Sequence, residues 1–223
     1  MINLMLLKNS MGSLLQGAGL SIIIAFFALG IGTIGGTLLS LLLLYGNKGL
    51  RIAAQAYVAV IRGTPMLVQI MALFFVLPYF GVMLPGTISA IIAIGMNSIA
   101  YISQIVRAGI QAVGRGQIEA ARALGFSQLQ ITRLIVLPQA FKTVFPALGN
   151  ECVTLIKDSS LASVIGVAEL THQGSIIMSR TYDALTAYMG VALIYLFITT
   201  CVALLLHFME RRMRYDLVGD SSK

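Results

Sequence analysis

From Asn9 to Asn47 the chain carries no charged residue. A helix needs about 20 mainly apolar residues to cross the hydrocarbon core of a bilayer, so this run commits the chain to a membrane. It is far too long for the apolar core of a secretory signal peptide, and no small-residue cleavage site follows a short apolar stretch. Composition agrees. Of 223 residues, 58% are apolar and 10% charged, against about 25% charged in an ordinary soluble domain, and mean hydropathy is +0.91. A disordered chain would be poor in apolar residues and rich in charge. No polar stretch is long enough to hold an attached enzyme domain. The expected fold class is an all-α integral membrane protein, with residues 1–223 forming a single transmembrane domain.

Charge-free runs and helix breakers locate five expected spans, at about 14–44, 52–77, 87–110, 134–165 and 184–209. Pro78, Gly81, Pro85 and Gly86 separate the second span from the third. The fourth is expected to be kinked, because Pro138, Pro146, Glu151, Lys157 and Asp158 interrupt it. Residues 167–183 are mixed in character and are expected at a surface. Gly30, Gly32, Gly35 and Gly36 predict a close-packing face on the first helix.

The net charge of +7 does not point to nucleic acid, because the basic residues lie scattered among apolar runs. Their distribution follows the positive-inside rule. The turn at Lys48, the segment from Arg107 to Lys142 and the C-terminal tail hold Lys48, Arg51, Arg107, Arg115, Arg122, Arg133, Lys142, Arg211, Arg212, Arg214 and Lys223. The other side holds only Lys8, Lys157 and Arg180. The expected orientation is therefore N-terminus outside and C-terminus in the cytoplasm. Cys152 and Cys201 are too few and too apolar in setting for a disulfide framework or a metal site.

Residues 114–133 are too polar to span. Gln117 to Leu124, read as QIEAARAL, is rich in good helix formers, and Gly125 stands where a helix would stop. Glu119 falls near the expected helix start, where negative charge is favoured. A short helix of this kind fits either a partner's groove or the lipid interface. Its order is Glu119-Ala120-Ala121, then Gly125, then Ile135 and, one residue on, Leu137-Pro138. This resembles the EAA-loop signature of ABC importer permeases. Arg62-Gly63-Thr64-Pro65, Asn97-Ser98 with Ala100-Tyr101, Ala147 to Glu151, Lys157 to Leu161 and Glu210-Arg211-Arg212 resemble the polar amino-acid branch of that family, the histidine, arginine and glutamine type.

The resemblance implies a five-helix permease fold of the bacterial inner membrane with a cytoplasmic coupling helix at about 117–124. It implies that a separate ATPase docks on Glu119, Ala120, Ala121 and Gly125. It also implies a second permease chain, identical or paralogous, and an extracytoplasmic binding protein that delivers an amino acid. No G-x-x-x-x-G-K-[ST] run is present, so phosphates are not held here by the P-loop route. ATP and magnesium are expected on the partner ATPase, with no cofactor, metal or catalytic residue in this chain.

Ionisable and polar groups inside spans mark interiors or aqueous cavities. Arg62 either lines a pathway or satisfies the carbonyls freed by the break at Pro65. Glu151 either receives a cationic substrate group, pairs with Arg62 or stays protonated. Asn97 and Ser98 either meet a zwitterion's ends or join helix to helix. Lys157, Asp158 and Ser159 form either an outer substrate contact or an interfacial turn. With Glu151, Asn97 and Ser98 they make up the candidate substrate-binding set, with arginine the preferred substrate and glutamine the alternative. A second reading, an intramembrane hydrolase, would use Ser175 and His172, one helical turn apart. A third, a passive homo-oligomeric channel, leaves the EAA-like segment without a purpose. Orientation is directly measurable. In a variant lacking Cys152 and Cys201, an impermeant thiol reagent applied to spheroplasts should label a cysteine at Asn3 and spare one at Ser221. The reverse pattern, or equal labelling, would invert the topology.

Overall fold

The structure is a computed structural model that describes residues 2–218, with side chains as far as residue 212. Of the inner-tail charges, Arg214 and Lys223 lie outside the described side chains. Every helix and turn of helix among these residues belongs to an all-α framework. In chain order the helices are α1 (Leu4–Tyr45), α2 (Lys48–Gly63), α3 (Met66–Met71), α4 (Gly86–Gln111), α5 (Arg115–Ala123), α6 (Gln128–Ile131), α7 (Leu137–Asp158), α8 (Leu170–Thr181) and α9 (Ala184–Val218). A π-helical turn, Ala72–Val76, and a 3-10 turn, Leu77–Phe80, extend α3. A second π-helical turn, Thr132–Val136, joins α6 to α7, and a 3-10 stretch, Ser159–Ile165, continues α7.

Three of these helices, α1, α4 and α9, are long and apolar enough to cross a bilayer. The expected second span is broken rather than continuous, with α2 and the helix from Met66 to Phe80 meeting at 104°. The break follows from sequence: Pro65 has no N–H to continue the ladder and disfavours helical geometry at Thr64. The expected fourth span is α7 with its flanking turns. At 22 residues α7 is about 33 Å long, yet it carries Lys142, Glu151, Lys157 and Asp158 and is not apolar enough to qualify. Its polar residues are intermediate or exposed rather than buried, with Lys157 and Thr154 exposed.

Two boundaries differ from the sequence reading. α1 starts at Leu4, capped by the Asn3 side chain on Leu6 N, so it runs about ten residues ahead of the expected start. Residues 167–183 are not merely a surface connection. They contain α8, which buries Leu170, Gly174 and Ile177 with Leu14 and Ala18 of α1 and Ala187 and Val191 of α9. The signal was there in the spacing of Leu170, Gly174 and Ile177, but Thr171, His172, Gln173 and Arg180 masked it in a hydropathy reading.

The most extensive helix pair is α1 with α4. Lipid tails are as apolar as leucine, so helices in a membrane associate through close packing rather than hydrophobic burial, and small residues permit the approach. A Cβ on Gly36 would lie 2.8 Å from Ile102 Cβ and 3.0 Å from Ser103 N. Gly32 faces the Ser98 side chain and Gly35 faces Ile99. Gly30, expected on the same face, instead has open space around it. The pairing runs both ways, since Gly95 of α4 faces Ile31 of α1. Gly36→Ala should therefore overpack the crossing and cost about 1–3 kcal/mol, while Gly30→Ala should change stability by no more than about 1 kcal/mol. Thermal unfolding in detergent, with both variants beside the wild type, checks this; equal midpoints for Gly36→Ala and wild type would contradict the close approach.

Candidate functional site

The bend at Pro65 generates an open wall. A cavity of about 310 Å³ lies there, lined by Thr64, Pro65 and Met66 at the break, Asn97 and Tyr101 of α4, and Glu151, Thr154 and Asp158 of α7. Glu151, Thr154 and Asp158 stand at i, i+3 and i+7, so one helix face presents them together. Ser98 lies just behind and donates from Oγ to Glu151 Oε1 at 3.1 Å. The small side chain fits because Gly32 of α1 faces it.

The cavity thus brings together Asn97, Glu151 and Asp158 of the candidate set, with Ser98 as the support of Glu151. It does not include the other two. Lys157 is exposed and points off the lining face. Ser159 is buried and spends its hydroxyl on Ile156 O at 2.7 Å, as a serine does where a helix tightens into a 3-10 turn. Arg62 neither caps the broken helix nor reaches Glu151: its guanidinium lies over the Tyr101 ring, 5.1 Å from the centroid.

The carbonyls freed at the break are met by Gln69, which the sequence reading did not single out. Gln69 Nε2 donates to Ile61 O at 2.8 Å, to Thr64 Oγ1 at 2.8 Å and to Thr64 O at 3.2 Å. Its Oε1 accepts from Asn97 Nδ2 at 3.0 Å. A second unforeseen residue is Glu169, completely buried at the start of α8. Its oxygens accept from Thr171 N, His172 N, Tyr195 Oη and Ser21 Oγ at 2.8–3.2 Å, which ties α8 to α1 and α9. Only an acid immediately before a helical run hinted at this cap.

The hydrolase reading fails on geometry. Ser175 donates to Thr171 O at 3.2 Å and lies 3.4 Å from Tyr188 Oη, so its hydroxyl is engaged with its own helix and not with His172. His207 lines a separate cavity of about 170 Å³ between α7 and α9, with Asn150 and Glu210. Cys152 and Cys201 are free.

The expected coupling helix is α5, which starts two residues earlier and ends one residue earlier than the sequence placed it. Starting at Arg115, it has no acid in its first turn, so Glu119 is not a start-of-helix charge. Ala121 faces inward and packs with Val113, Ile131 and Val136, whereas Glu119, Ala120 and Leu124 are exposed. The helix ends as expected. Gly125 has φ +82, its N–H bonds Arg122 O, and Phe126 N bonds Ala121 O; these are the paired bonds of a Schellman close. Ser127 and Gln130 then form a capping box that starts α6. Gln139 Nε2 donates to Gln117 Oε1 at 2.6 Å, which fastens α5 to α7.

A broken-span helical framework with an exposed, rigidly closed helix between α4 and α7 defines a transporter's membrane subunit. Residues 32–215 match the family described as binding-protein-dependent transport system inner membrane component, and the chain belongs to that family. It is 37% identical over 203 residues to the glutamine transport system permease protein GlnP of Escherichia coli strain K12, covering 90% of this chain and 93% of that one. It is 38% identical to a chain in the crystal structure of an amino acid ABC transporter with histidines, with TM-score 0.90, covering 95% of this chain and 99% of that chain. An inward-facing structure of the MetNI methionine ABC transporter shares the fold at 20% identity and TM-score 0.79, over 92% of this chain and 98% of that chain. The protein is accordingly an inner-membrane transport subunit and not an enzyme; in this family a separate ABC subunit hydrolyses ATP.

Valine disfavours the left-handed conformation that Gly125 adopts, and asparagine tolerates it. Gly125→Val should strain the end of α5 by about 1–3 kcal/mol and abolish stimulation of the partner ATPase by loaded binding protein, while Gly125→Asn should retain most of it. ATPase assays on the reconstituted complex check this. Full stimulation in Gly125→Val would remove α5 from the coupling path.

Proposed function

We propose that this chain carries a polar L-amino acid across the inner membrane, with a basic amino acid, arginine first, as the preferred cargo. The observation that carries the reading is the meeting of Glu151, Asp158 and Asn97 in one cavity of about 310 Å³, at the lower end of the range of about 300–1,000 Å³ for small-molecule pockets. Carboxylates taken out of water need cationic partners, and a guanidinium offers five donors in a planar fork. Among the described residues the nearest cations are Lys157, next to Asp158 in the chain, and Arg62 over the Tyr101 ring; neither lines the cavity, and a cationic cargo would add the counter-charge that Glu151 lacks.

In this reading the N-terminus lies outside and the tail in the cytoplasm, so that α5 faces the cytoplasm and receives the ATPase through Glu119, Ala120 and the Gly125 close. ATP and magnesium belong to that ATPase. A second permease chain, identical or paralogous, completes the path, because one small bundle of spans does not enclose a passage alternately open to each side. An extracytoplasmic binding protein delivers the amino acid.

A second reading, glutamine as cargo, is favoured by the substrate named for the Escherichia coli relative. The two separate at Glu151. Glu151→Gln keeps shape and the bond from Ser98 but removes the charge. If the cargo is basic, arginine uptake should fall by about 2–5 kcal/mol in free-energy terms, with glutamine uptake much less affected. Competition uptake in proteoliposomes holding the ATPase and binding protein measures this. Wild-type arginine uptake by the folded variant would make Glu151 structural and leave glutamine as the better reading.

A further inference from the structure

Pro65 has a consequence that reaches the cavity. In an α-helix, the carbonyl of residue 61 is bonded by the N–H of residue 65, and a proline there has none. Ile61 O is bonded instead by Gln69 Nε2 at 2.8 Å. The same nitrogen meets Thr64 O and Thr64 Oγ1. The Thr64 hydroxyl donates to Val60 O at 2.9 Å, so toward Gln69 it only accepts. All three neighbours of this end of the Gln69 amide are therefore acceptors, two of them backbone carbonyls whose polarity is fixed. The amide has one allowed orientation, with nitrogen toward the break and oxygen toward α4. That oxygen accepts from Asn97 Nδ2 at 3.0 Å, so the Asn97 amide is fixed with its nitrogen toward Gln69 and its oxygen away from it, on a residue that lines the cavity.

The other fixed groups of the cavity have the same polarity. Thr154 donates to Asn150 O at 3.0 Å, which leaves its oxygen as an acceptor. Glu151 and Asp158 accept when ionised. The lining is thus acceptor-rich, and an ammonium or guanidinium group matches it better than a carboxamide, which brings an acceptor of its own.

We infer that Gln69 is a positioning residue for substrate selectivity: by standing in for the N–H that Pro65 lacks, it locks the Asn97 amide with its oxygen toward the cavity and favours cargo whose side chain is cationic and only donates. This rests on the proposed reading of the cavity as the cargo site. Gln69 need not touch cargo; it acts through Asn97.

Two substitutions separate polarity from packing. Gln69→Met keeps the volume but removes both ends of the lock, which frees Asn97 to turn its Nδ2 into the cavity. Gln69→Glu, ionised or neutral, still offers Asn97 an accepting oxygen and keeps it oriented, whatever it costs at the break. The readout is equilibrium binding of radiolabelled arginine and glutamine to the permease–ATPase complex in nanodiscs, which excludes the binding protein's own filter. The expected result is that Gln69→Met lowers the preference for arginine over glutamine about tenfold, the scale of one hydrogen bond to a charged group, while Gln69→Glu leaves it within about twofold. Equal changes in both variants, or no change in Gln69→Met, overturn the inference. Should Gln69→Met fail to assemble, a loss of preference in Gln69→Glu overturns it equally. Asn97→Leu keeps the two levels apart. If it shifts the preference while Gln69→Met does not, the cavity holds cargo and Gln69 is not its positioning residue. If it changes neither ligand's binding, the cavity is not the site and both readings fall.

Discussion

A backbone carbonyl without a hydrogen-bond partner has no place in hydrocarbon, where water is absent and every polar group must be satisfied from within the protein. The chain breaks its helices at Thr64–Pro65, at Ser159 and before Leu170 all the same, and side chains close each break. Thr64 and Gln69 take the carbonyls left at the bend before Pro65. Ser159 and Ser163 take Ile156 O and Ser160 O where α7 tightens into its 3-10 end. Glu169 takes the first free N–H groups of α8. The cavity is a product of the same economy. The 104° bend puts Thr64, Pro65 and Met66 at the cavity wall opposite Asn97 and Glu151.

Close packing carries this arrangement to the cavity. The buried face of α1 includes Gly17, Ala18, Ser21, Ala25, Ala28, Gly32 and Gly36, a stripe of small residues at helical spacing; its first three meet α8, and α4 answers the rest with Ala90, Ala93, Ser98 and Ala100. In lipid such stripes are what lets backbones approach. Their effect is not only adhesive. Gly32 leaves the room in which Ser98 stands, and Ser98 holds Glu151. The distance between two long helices thereby sets where a carboxylate on a third helix rests.

Much of this was legible in the residues. Charge-free runs located α1, α4 and α9, since length and apolarity are what a bilayer demands. The RGTP break and the helix stop at Gly125 were legible because proline and glycine act through their own backbones. What escaped depended on partners far away in sequence. Gln69 is an ordinary polar residue until its distance to Ile61 O is known. Glu169 belonged to a mixed stretch until Ser21 and Tyr195, from two other helices, closed around it. Ser159 and Asp158 are neighbours in sequence, but a helix turns 100° per residue, so one bonds its own backbone while the other lines the cavity. Of the two expectations for Arg62, a pathway wall or a cap on the break, the cap is supplied instead by Gln69, one turn into the next helix.

Glu169 and Glu151 show how a membrane protein assigns one fully buried and one half-buried carboxylate to different ends. An ionised carboxylate has room for about four donors. Glu169 has four, two from backbone N–H groups and two from the hydroxyls of Ser21 and Tyr195, so it is complete without any ligand. It acts as a joint between α1, α8 and α9. Glu151 has one, from Ser98, and shares its cavity with the carboxylate of Asp158. Two such groups with accepting capacity unfilled would be costly in a closed interior. They are tolerable where something rich in donors enters and leaves, whether water or cargo. The break at Pro65, the packing at Gly32 and the turn of α7 all converge on keeping that capacity open. On the proposed reading, this separates a site through which a molecule passes from one that only holds the fold together.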